Sequence, residues 1–100
     1  MRLELLATDP CLGGAAGRKP WLTNTIQVFT DKAGTADQAA GIASHEVKHW
    51  LQRITPSTYR ITHEIEAYQF QRQAGYLSLT DAEILRLIEN NPVLYGNVPK

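Results

Sequence analysis

The chain has 100 residues, 43% of them hydrophobic and 20% charged, and its ten basic side chains balance ten acidic ones. Zero formal charge leaves no electrostatic footprint for phosphate backbones or anionic lipid heads, and Lys and Arg are scattered from Arg2 to Lys100, so neither nucleic acid nor a membrane is expected as a partner. The single cysteine, Cys11, cannot form an internal disulfide, which fits a cytoplasmic setting, and no stretch approaches the length needed to span a bilayer. A chain of this length buries only about 60–65% of its unfolded surface, so residues 1–100 are expected to form one domain with a modest core to which a bound metal would matter.

Residues Arg2 to Ala7 alternate and predict a short strand. The Gly-rich stretch from Asp9 to Pro20 reads as a loop, and the β-branched and aromatic run Trp21–Thr30 as a second strand. Thr35 stands three residues before Gln38, the spacing of a capping box, and opens a helix of about 17 residues. Pro56 breaks the chain. Ser57 or Thr58 then caps a second helix that runs to about Ala74, where Gly75 stops it. Thr80 and Glu83 form another capping box for a third helix ending before Asn90-Asn91-Pro92, and the tail from Val93 reads as irregular.

The first helix carries His45-Glu46-Val47-Lys48-His49. Two histidines four apart lie about 40° from one another on a helix, so both imidazoles can meet one ion while Glu46 flanks it. With three His and six Glu in the chain, random placement produces this pattern in about half a per cent of such sequences. Zinc takes neutral imidazole nitrogens, and a catalytic site adds a third protein ligand and a water. A carboxylate beside the ion and outside its ligand shell can take the proton of that water.

The second helix offers the third ligand. A helical wheel groups Ile61, Ile65 and Tyr68 on one face and His63, Glu66, Ala67, Phe70 and Ala74 on the other, so this helix is expected to be sandwiched. Glu66 then falls within an apolar strip, where metal ligation would offset the cost of burying a carboxylate. Glu64, about 200° round the axis from Glu66, reads as a solvent-facing acid. His63, about 60° from Glu66, is an alternative third ligand.

A histidine pair of this kind followed by a downstream glutamate and alanine, here Glu66-Ala67, resembles the gluzincin zinc metallopeptidases, and in length the small minigluzincins. The likeness covers about Ile26 to Ala74. It implies a minimal zincin-like α+β fold: a short sheet packed on an active-site helix, a glutamate helix and a C-terminal helix. It further implies zinc on His45, His49 and Glu66, with Glu46 as general base and a peptide or protein substrate along the edge of the strand at Asn24–Phe29. Tyr59, His63 and Tyr68 are the candidate donors to the oxyanion, and Tyr59 and His63 join Glu46 as expected catalytic residues.

The sequence departs from related patterns in two places. A metzincin continuation would need Gly at Gln52 and His at Thr55. Many gluzincins place an Asp four residues after the glutamate ligand, and here that position is Phe70, which leaves Gln69, Gln73, Glu64 or a backbone carbonyl to orient the histidines. Cys11 or the tail from Asn91 onward offers a way to plug the cleft and hold the chain latent, so a zinc-stabilised interaction module without catalysis is the competing expectation.

Overall fold

The computed structural model describes residues 2–9, 15–20 and 24–100. Among them the elements run β1 (Arg2–Leu6), β2 (Gly17–Arg18), β3 (Thr25–Phe29), α1 (Ala36–Gln52), α2 (Ile61–Gln73), α3 (Asp81–Glu89) and α4 (Pro92–Tyr95), with a 3-10 turn at Thr30–Lys32. This is the α+β arrangement expected.

The strand order is β1-β3-β2. β1 pairs with β3 in parallel, from Arg2↔Thr25 to Leu6↔Phe29, and β2 pairs with it antiparallel, Gly17↔Val28 and Arg18↔Gln27. The Gly-rich stretch read as a loop therefore supplies a strand. One expectation narrows as a result. Over Gln27–Phe29 both flanks of β3 are already bonded to this chain, so that part of the expected Asn24–Phe29 edge is closed and the outer strands of the sheet are β1 and β2. Residues 21–23, read as the start of that strand, lie outside the described residues.

Side chains alternate across the sheet. Ile26 and Val28 are buried beneath α1, while Gln27 on the opposite face accepts from Arg18 Nε and Nη2 (3.3 and 3.2 Å) and donates to Glu4 Oε1 (3.3 Å). The core is completed by Phe29, Ala67, Ile84 and Ile88.

α1 begins as its capping box predicts: Thr35 Oγ1 accepts from the Gln38 N–H and Gln38 Oε1 from the Thr35 N–H, each at 3.1 Å. It ends on Arg53, whose φ of 52° lies in the left-handed region where a non-glycine residue is strained. α2 starts later than expected. Thr58 is spent closing a turn, accepting from the Thr55 N–H at 2.8 Å, and the cap falls to Arg60, whose N–H donates to His63 Nδ1 at 3.0 Å. Gly75, at φ 90°, follows the end of α2 in a conformation that glycine adopts without strain. α3 starts at the Thr80–Glu83 capping box as expected. The tail is not irregular: Asn91 caps α4 by accepting from the Leu94 N–H, and the Pro99 carbonyl accepts from the Ile61 N–H at 2.7 Å, tying the end of the chain to the start of α2. Among the described residues no helix is long and apolar enough to cross a membrane.

Candidate metal centre

α1 and α2 pack side by side, and the third face of the pairing is set by the helical period. Positions 45 and 49 of α1 and positions 64 and 68 of α2 line one cavity, and Ala67 on α2 is fully buried. His45, Glu46 and His49 are each 7% exposed and Glu64 4%. His45 Nε2 lies 3.0 Å from Glu64 Oε1, and His49 Nε2 2.9 Å from Glu64 Oε2. One ligand atom from each of the three residues falls within 4.8 Å of the others.

The third member of this cluster is Glu64 and not Glu66. Glu66 is exposed and reaches only the amide of Gln52, at 3.3 Å. On the wheel Glu64 lies about 40° from Tyr68, and the two line the same cavity as His45 and His49. The expected division of roles between the two glutamates is therefore reversed. Phe70 sits under the Lys48 ammonium, 5.8 Å from its ring centroid, and four residues after Glu64 stands Tyr68. Its ring meets that of His45 edge-on, with centroids 4.3 Å apart.

Gln52, which the sequence reading passed over, orients His49. Its amide nitrogen donates to the His63 carbonyl (3.0 Å) and to Glu66, so its oxygen is the acceptor facing His49 Nδ1 at 2.9 Å. His49 therefore carries a proton on Nδ1 and turns Nε2 to Glu64. His45 has no such support: its Nδ1 is buried with no hydrogen-bond partner among the described residues.

Of the expected catalytic residues, Glu46 and Tyr59 line the cavity and His63 does not. Glu46 Oε2 is 4.0 Å from His45 Nε2, and the backbone amide of Lys19 favours the ionised form of its carboxyl. Tyr59 donates its hydroxyl to Glu64 Oε2, which makes it a positioning group for that carboxylate. His63 is committed to the N-terminus of α2, with its ring stacked on Tyr59 at 6.3 Å. The Tyr68 and Tyr95 hydroxyls meet at 2.8 Å on the cavity wall. Asn91, Leu94 and Tyr95 line the cavity as well, so the tail forms part of its wall. Cys11 lies outside the described residues.

The cavity holds about 600 Å³. Its opposite wall is Ala15–Pro20, and there Gly17 is needed for close approach: a Cβ would come within 2.5 Å of Ile42 Cγ2 and 3.3 Å of Glu46 Cγ.

Burial raises the Glu46 carboxyl, against the pull of the two histidines. Burial acts the same way on Glu64, but its hydrogen bonds to His45 and His49 and their charge outweigh it and hold that carboxyl well below the usual range. For His49 burial favours the neutral ring, yet the bond to Glu64 and its charge lift the pKa to about 9. Burial also raises the tyrosines around the cavity, Tyr68 to about 12, so their hydroxyls keep their protons. Without a metal, then, the site is a buried carboxylate held by imidazole protons. Two imidazole nitrogens and one carboxylate oxygen, converging and shielded from water, form a donor set that can hold a metal ion. Compared with known proteins, the chain matches no family model, no curated protein and no solved structure.

Proposed function

We propose that this protein is a zinc-dependent peptidase of minimal gluzincin type, with His45, His49 and Glu64 holding the metal and Glu46 acting as general base. One observation carries the reading. Three buried ligand atoms lie within 4.8 Å of one another beside a fourth group, Glu46, that stays out of the cluster and lines an open cavity large enough for a peptide segment. The donor set suits zinc, and the resemblance of the His-Glu-x-x-His helix to the gluzincins names the reaction.

Bound there, zinc supplies Lewis acidity toward a peptide carbonyl and makes a water more acidic. Glu46 takes one proton from the attacking water as its oxygen bonds to the acyl carbon. The C–N bond then breaks, and Glu46 returns that proton to the departing amine nitrogen. Gln52 and Tyr59 hold His49 and Glu64 in place. The Tyr68 and Tyr95 hydroxyls share a single hydrogen bond between two protons, which leaves one proton free for a substrate oxygen.

The test pairs metal content with activity. Protein purified without chelator is expected to hold about one zinc per chain. Glu46→Gln is expected to keep that zinc and lose peptide hydrolysis, whereas Glu64→Ala loses both. Absence of zinc uptake, or undiminished hydrolysis by Glu46→Gln, overturns the reading. A second reading, a zinc-stabilised module without catalysis, is favoured by the burial of Glu46. Full zinc occupancy with no cleavage of a mixed peptide library selects it.

A further inference from the structure

The edge of the sheet at β1 has features that the candidate metal centre does not use. Arg2 N–H donates inward to the Asn24 carbonyl at 2.7 Å, so by the alternation of a parallel ladder the backbone groups of Arg2, Glu4 and Leu6 face β3. Those of Leu3 and Leu5 face outward. The same two residues share register rows with the buried Ile26 and Val28, yet their side chains are 57% and 62% exposed. The apolar face of the sheet thus continues one strand beyond its cover, onto an edge with outward hydrogen-bonding groups, which is the arrangement that recruits another strand.

We infer that β1 pairs antiparallel with β1 of a second copy of this chain, with Leu3 opposite Leu3 at the two-fold axis, to make one continuous six-stranded sheet. This reading is independent of any enzymatic activity. The register follows by comparison. Centring the pair on Glu4 would set two carboxylates directly opposite each other, which is unfavourable. Centring it on Leu5 would call on the Ala7 carbonyl, which already accepts from the Asp31 N–H at 3.1 Å. Centring it on Leu3 sets Arg2 of each copy opposite Glu4 of the other, so two opposite-charge pairs lie on the polar face, extending the Arg18–Gln27–Glu4 row across the junction. On the other face Leu3 and Leu5 of both copies meet. A five-residue edge buries less than the roughly 800 Å² per partner of a long-lived dimer, so the association is weak and concentration-dependent.

Sedimentation equilibrium of the full chain from about 10 µM to about 1 mM is expected to show a monomer–dimer equilibrium. Glu4→Arg, which opposes like charges twice, is expected to weaken association roughly tenfold or more, and the double exchange Arg2→Glu with Glu4→Arg to restore it. In a Cys11→Ser background, mild oxidation is expected to cross-link Leu3→Cys, whose α-carbons face each other at about 5.5 Å. Leu5→Cys should not cross-link, its partners lying four residues apart at about 13 Å. A monomer throughout the range, a dimer indifferent to Glu4→Arg, or cross-linking at position 5 in place of position 3 overturns the proposal. Cross-linking at position 3 supports it even if the charge variants fold poorly.

Discussion

Two polar rows cross this small protein, and they show how burial changes what similar groups do. In the seam between α1 and α2, the half-buried Gln52 and the buried His49, Glu64 and His45 form a chain of contacts. Across the open face of the sheet, Arg18, Gln27, Glu4 and Arg2 form another, with comparable distances and partly exposed members. The second is screened by solvent and contributes little. The first is built from groups that cannot be left unpartnered, so removing one member strands the others.

The most damaging way to break the contrast is Glu64→Ala. It leaves two buried imidazoles facing each other and is expected to lower metal-free stability by about 3 kcal/mol or more, read from urea unfolding, and to abolish zinc uptake. Glu66→Ala is expected to match the unaltered protein in both measurements, because its carboxylate is exposed; loss of zinc in that variant would reinstate it as a ligand.

A pH series sharpens the same difference. His49 titrates near 9 in the folded, metal-free protein against about 6.5 unfolded, so its pairing with Glu64 is fully present below pH 6.5 and fades as pH rises through 9. Glu64 is depressed, so its share is present above its ordinary range near 4.5 and is lost as pH falls below it. Stability without metal is therefore expected to peak between about pH 5 and 6.5 and to lose a few kcal/mol by pH 9, measured as a denaturation midpoint at each pH. A flat profile from pH 6 to 9 would show that the pair is not formed.

Next in size is Gln52→Ala, which frees the Nδ1 side of His49 and is expected to weaken zinc binding by about 10–100-fold in competition with a chromogenic chelator. The smallest effect belongs to the sheet: Gln27→Ala, which removes the centre of the exposed row, is expected to change the unfolding free energy by less than about 1 kcal/mol.

The first helix was legible from sequence because its signals agree: a capping box at Thr35, an apolar stripe and a histidine pair in phase with it. Which glutamate completes the cluster was not legible, and the reason is physical. α2 packs between α1 and α3 and carries apolar residues on both sides, so periodicity alone does not say which side faces α1. What separates them is burial: Glu64 is 4% exposed whereas Glu66 is open to solvent, a difference that the residue types along α2 do not announce. β2 escaped notice because two residues in a glycine-rich stretch carry no strand pattern, and α4 because a four-residue helix rests on Asn91 and Pro92 alone. Gln52 was hidden by its ordinary appearance; its direction is fixed by the His63 carbonyl and the Glu66 carboxylate, which accept from its amide.

Gly17 sets a dimension as well as a bend. Because β2 rests on α1 through a residue with no side chain, the aperture above Glu46 is defined by a missing carbon, and no stepwise enlargement of that residue can tune it: the first added methyl group must displace either the strand or Ile42. Asn91, Leu94 and Tyr95 line the same cavity through residues that carry side chains, so its shape can be graded there by substitution.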